Sequence, residues 1–102
     1  GIYNLTAGPV PARSEVTFFI SHNRPETVLD VQFFVYNMIG QLLWSHKESG
    51  SSDLFRQYSV TWNLNGSNGV RLKPGVYLYR AALRTDSSRE ATETKKLIIL
   101  AQ

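Results

Sequence analysis

The chain contains no cysteine, which removes disulfides, thiol nucleophiles, Cys-type zinc sites and iron–sulfur ligation from consideration. Histidine is nearly as scarce. His22 and His46 do not fall in an HExxH pattern or at any spacing that would put two metal ligands on one face, and both read as surface residues without a role. No apolar run is long enough to span a bilayer. Basic residues never cluster: among 11 Lys and Arg against 8 Asp and Glu, Lys95-Lys96 is the only adjacent pair. The net charge of +3 therefore reads as a solvated surface and not as a nucleic-acid footprint. No glycine-rich phosphate loop stands between a strand and a helix. No signal peptide is visible either; Gly1 reads as a cloning remnant and the chain as a segment cut from a longer protein.

What remains is a chain of 102 residues, 42% hydrophobic and 12% aromatic, enough for one domain, residues 1–102, with its own core. Helical periodicity is missing almost everywhere, while period-two alternation and turn residues recur at short intervals. An irregular first strand is expected over Ile2–Thr6, followed by Gly8-Pro9-Val10-Pro11, whose prolines suit an edge or crossing segment. Glu15–Ser21 places Val16, Phe18 and Ile20 on one face, and His22–Glu26 breaks it. In Leu29–Met38, Leu29, Val31, Phe33 and Val35 face one way and Asp30, Gln32, Phe34 and Tyr36 the other. Gly40 then suits a hairpin turn at positive φ, and Gln41–Lys47 returns as the paired strand.

Ser49–Asp53 is a loop by composition. Phe55–Leu64 points Tyr58, Val60, Trp62 and Leu64 inward. Gly75–Thr85 carries Tyr77, Tyr79, Ala81 and Leu83 on one face, and a turn at Asp86–Arg89 leads into a last strand, Ala91–Leu100, with Leu97 and Ile99 inward. About seven short strands at this spacing predict an all-β, immunoglobulin-like antiparallel sandwich whose core aromatics are chiefly Phe18, Phe33, Trp62 and Tyr77.

Candidate chemistry is thin. Ser51, His46 and Asp53 can be assembled into a triad on paper, but triads are defined by geometry and not by nearness in sequence. The loop Asn63–Gly69 has the look of a calcium loop yet offers amides where carboxylates are needed. Asn4-Leu5-Thr6 matches a glycosylation tripeptide. Trp44 is either a core residue or a stacking platform for a sugar ring, which keeps a carbohydrate-binding module among the alternatives. No catalytic, cofactor-binding or metal-binding residue is assigned, and no cofactor is expected. The one surface feature is a set of apolar residues on the faces taken as outward: Phe34, Tyr36, Leu78, Ile98 and Leu100, with Lys95 and Lys96 beside them. If their strands are neighbours they form one patch, and such patches mark contact surfaces.

Three segments resemble a known group. Val35-Tyr36-Asn37-Met38-Ile39-Gly40-Gln41-Leu42-Leu43-Trp44 is similar to the VYN-x-x-G hairpin of C-terminal domains in type IX secretion proteins. Trp62-Asn63-Leu64-Asn65-Gly66, Gly69 and Lys73-Pro74-Gly75-Val76-Tyr77-Leu78-Tyr79-Arg80 resemble a segment shared with FlgD-like immunoglobulin domains. Lys95-Lys96-Leu97-Ile98-Ile99-Leu100 resembles the strand that closes them. Where the group often shows Asn-Pro near its start, this chain has Gly8-Pro9-Val10-Pro11. Within the group the likeness is nearest to the tails of PorU-type sortases, gingipain-like cysteine peptidases. The resemblance implies a non-catalytic recognition domain of a bacterial cell-envelope protein. Its partners would be other domains of the parent or type IX secretion components, not nucleic acid, with no membrane span of its own. It leaves a structural spacer as the rival.

Overall fold

A computed structural model describes residues 4–22, 28–50 and 56–102. Ile2 and Tyr3 of the expected first strand, Asn23–Glu26 of the expected break, and Ser51, Asp53 and Phe55 lie outside the described residues. The elements are β1 (Asn4–Gly8), β2 (Val16–Ser21), β3 (Val28–Tyr36), β4 (Leu42–Ser49), β5 (Gln57–Trp62), β6 (Gly75–Thr85), β7 (Arg89–Ala91) and β8 (Lys95–Ile99). They form two antiparallel sheets. The smaller has the order β1-β2-β5; in the larger, β4-β3-β6, the free edge of β6 is shared by β7 and β8. The architecture is the expected all-β, immunoglobulin-like sandwich, with eight strands in place of seven.

The core lies between the sheets and follows the alternation. Val16, Phe18 and Ile20 of β2 face Val31, Phe33 and Val35 of β3, Tyr79, Ala81 and Leu83 of β6, and Leu97 and Ile99 of β8, all buried. Phe18 is the hub. Its ring lies 5.3 Å from Tyr79, 5.8 Å from Phe33, 6.0 Å from Trp44 and 6.1 Å from Trp62, centroid to centroid, within the range where aromatic pairs add to area burial. Tyr77, expected in the core, is half-buried at the rim, where its hydroxyl donates to the Lys73 carbonyl at 2.6 Å. Tyr79, two residues on, takes the buried place.

Two bulges change the pattern read from sequence. Opposite β6, Val28 pairs with Thr85 and Asp30 with Arg84, so Leu29 is an extra residue, which turns Val28 into the core in its stead. The expected last strand is split. Ala82 pairs with Ala91 but Tyr79 with Lys95, four steps on one strand against three on β6. At the break, the Thr92 hydroxyl accepts the Ala81 amide and the Thr92 amide donates to the Ala81 carbonyl, so a side chain replaces one rung of the ladder.

The turns are built as their residues require. Gly40 has φ +89°, and Asn37 Oδ1 accepts from the amides of Ile39 and Gln41, closing the β3–β4 hairpin. After β5, Leu64 sits at φ 68°, an uncommon conformation for a branched residue; it delivers a fully buried side chain to the core. The proline segment joins β1 to β2, neighbours in the smaller sheet, and on the way Ala12 docks at the edge of the larger one: its amide donates to the Ile98 carbonyl and its carbonyl accepts from Leu100.

Candidate functional site

The outward residues of the larger sheet come together through register. β3 and β6 are antiparallel neighbours, so Phe34 stands opposite Arg80 and Tyr36 opposite Leu78. On the far side of β6, Leu78 stands opposite Lys96 and Val76 opposite Ile98. Phe34, Tyr36, Leu78, Lys96 and Ile98 therefore share one face. Leu100, half-buried, follows the end of β8. Lys95 does not belong to the face. It lies opposite Tyr79, on the inward side, and its ammonium donates to the Leu5 carbonyl of β1 at 2.5 Å. One residue of shift sends a strand side chain to the other face, so Lys95 ties the two sheets together.

The face is not a bare apolar patch. Arg80 crosses its centre: the guanidinium carbon lies 4.6 Å from the Phe34 ring centroid and 5.6 Å from that of Tyr36. Its Nε–H donates to the Tyr36 hydroxyl at 2.9 Å. The two rings are stacked 6.1 Å apart, so cation–π attraction and a hydrogen bond hold the guanidinium over them. Val76 and Ile98 remain exposed, 42% and 39%, as an apolar shoulder. On the other side a shallow depression of about 480 Å³ is lined by Phe34, Arg80, Ala82, Arg89 and Ala91, and Arg89 donates to Gln32 at 3.1 Å. Arg80 is the residue that sequence reading missed. Its alternation with Leu78 was visible; that it lies across Phe34 depends on a register no local pattern states.

At the end of this face Asp30 is buried, 2% exposed, although it points outward. The Arg84 Nε–H donates to its carboxylate at 2.7 Å and the Lys47 ammonium is 3.9 Å away. The two cations cover the carboxylate, and a charge-assisted bond offsets its lost hydration.

Other sequence candidates resolve differently. His22 is buried, not a surface residue. His46 is half-buried, 3.4 Å from the Glu48 carboxylate and 3.5 Å from the Tyr58 hydroxyl. Burial first, and then the Glu48 carboxylate, push the Tyr58 phenol above its usual value. Trp44 packs at 4.9 Å on Trp62, as a core-lining residue does. The Asn63–Gly69 segment is a turn stitched by its own amides: Asn65 donates to Asn63 Oδ1, Val70 to Asn68 Oδ1, and Trp62 Nε1 to the Asn65 carbonyl. Among the described residues no group of three His, Cys, Asp or Glu is placed to hold a metal ion, and no helix is long and apolar enough to cross a membrane.

No family model and no curated protein matches the chain. Solved structures do. The chain is similar to dimeric latent PorU from Porphyromonas gingivalis, with 31% identity and a TM-score of 0.85 over 99% of this chain and 9% of that one. It is also similar to PorZ, a surface component of the type IX secretion system of the same organism (22% identity, TM-score 0.55, 94% of this chain and 11% of that one). A third likeness, to the soluble domain of PmoD from Methylocystis (12% identity, TM-score 0.58, 95% and 90% covered), concerns the fold alone. The chain thus spans 9% of the PorU chain that it matches. With the hairpin, the turn segment and the closing strand in the order that the resemblance required, the chain is a PorU C-terminal-like β-sandwich domain.

Proposed function

We propose that this domain is the non-catalytic recognition and docking module of a type IX secretion protein, the tail of a PorU-type, gingipain-like peptidase of the bacterial cell envelope. The observation that carries the reading is the outer face of the larger sheet. It combines exposed Val76 and Ile98 with half-buried Leu78, Phe34 and Tyr36 around a fixed Arg80, the mixture of aliphatic, aromatic and arginine side chains that interface cores favour. The likeness to PorU and PorZ supplies the setting. Docking works here through a face and not through strand addition at β8, because Ala12 already pairs with the free edge of that strand at Ile98 and Leu100.

The test is a triple substitution, Val76→Ser with Leu78→Ser and Ile98→Ser, in the full-length protein in its own bacterium. The expected result is loss of envelope localisation or of cargo export while the domain still melts cooperatively. Wild-type localisation and export from the folded variant would overturn the reading. So would full function after exchange of this domain for an unrelated sandwich, which would make it a spacer.

A further inference from the structure

Charge is segregated on this molecule in a way the linear sequence hides. Lys47, Arg80, Arg84, Arg89 and Lys96 all project from the outer face of the larger sheet: Lys47 is opposite Gln32, Arg80 opposite Phe34, Arg84 opposite Asp30 and Arg89, and Lys96 opposite Leu78. Among the described residues Asp30 is the one carboxylate paired with them. The chain has 11 basic and 8 acidic residues. The described residues include ten of the former and six of the latter; five and one of these stand on this face, which leaves five of each elsewhere. Among the described residues, the positive excess lies on one side of one sheet.

Arg84 and Lys47 are engaged by Asp30, but among the described residues Arg80, Arg89 and Lys96 have no carboxylate partner. Arg80 is held by two rings and a tyrosine hydroxyl, and Arg89 by an amide oxygen. Both line the depression floored by Ala82 and Ala91. Fixed guanidinium forks beside an apolar floor match carboxylates geometrically as well as electrostatically, and little side-chain freedom is lost when they bind.

We infer that this face takes a carboxylate-rich segment of a partner protein, its acidic groups at Arg80, Arg89 and Lys96 and its apolar side chains on Val76, Leu78 and Ile98. The inference rests on the docking reading above and gives the partner its chemistry. A second copy of this chain is disfavoured as the occupant, since apposing two such faces would bring like charges together. A phosphate polymer is disfavoured by the aliphatic shoulder and by rings that lie under Arg80, where no base could stack on them.

The test titrates the isolated chain with an acetylated, amidated heptapeptide in which glutamate alternates with valine and tyrosine, followed by amide chemical shifts at low and high salt. The expected result is shifts confined to β3, β6, β7 and β8 and an affinity that falls with salt. Arg89→Gln with Lys96→Gln, both exposed positions, should weaken binding about tenfold, and so should Arg80→Gln if its melting temperature shows it folded. Equal binding of the glutamine version of the peptide, shifts elsewhere, self-association on this face, or tighter binding of single-stranded DNA or phosphatidylglycerol vesicles would overturn the inference. The same Arg89→Gln/Lys96→Gln pair, placed in the full-length protein, separates the two claims. Localisation lost with the serine triple but kept with this pair sinks the acidic partner and leaves docking standing; peptide binding with localisation intact in both variants sinks docking and leaves the acidic site.

Discussion

The two faces of the larger sheet come from the same strands, one residue apart, and differ in almost everything else. The inward residues of β3 and β6, among them Val31, Phe33, Val35, Tyr79, Ala81 and Leu83, are all buried against β2 and the aromatic hub at Phe18. The outward ones are aromatic, aliphatic and cationic together, with an arginine clamped over two rings. Hydrophobic burial accounts for those inward residues of β3 and β6. It accounts poorly for the outer face, where Val76 and Ile98 gain nothing from standing in water. The comparison teaches that stability and recognition are written in alternate letters of the same strands.

Breaking the inner face should cost most. Phe18→Ala removes the ring that touches Phe33, Trp44, Trp62 and Tyr79 and should lower stability by about 3–5 kcal/mol, read as a lower midpoint in urea. Asp30 belongs to the outer pattern but is buried like the inner one, so Asp30→Ala should fall between the extremes. Losing the 2.7 Å bond from Arg84 should cost about 1.5–3 kcal/mol, less if water reaches the half-exposed arginine. Val76→Ser and Ile98→Ser should each change the stability read from urea unfolding by no more than about 0.5 kcal/mol, and a large loss at either would erase the contrast between the faces.

The smallest effect is visible only in alkali. Burial raises the Tyr79 phenol above its usual value of 10.0. In the unfolded chain the group ionises first, so the neutral buried phenol contributes stability that is complete below pH 10 and is lost as pH rises through the higher folded value. Tyr79→Phe should therefore flatten the decline in melting temperature above about pH 10.

Much of the fold was legible because alternation is a local property. Val16, Phe18 and Ile20 declare one buried face; Gly75–Thr85 shows its strand end to end; and Gly40 after Asn37 states a turn that the backbone then adopts at positive φ. Legibility stopped where one residue is inserted. The bulge at Leu29 brought Val28 inward, and the break at Thr92 divided the last strand. Neither can be seen without the partner strand, since a bulge is a mismatch between two chains and not a feature of one. Of the candidate surface, Phe34, Tyr36, Leu78, Ile98 and Leu100 could be named in advance as outward, with Lys95 and Lys96 undistinguished beside them, and Arg80 shares the alternation of Leu78, whereas its place across Phe34 depends on register.

By itself, then, the sequence determined the class of structure, the side chains that must leave water, the turns, and the freedom from cysteine chemistry. These follow from side-chain polarity and backbone preference, which act within a few residues. Only the tertiary structure decided that cations numbered 47, 80, 84, 89 and 96, unremarkable along the chain, would stand together on one face. Strand register sets which distant residues become neighbours, and electrostatic potential depends on distance in space.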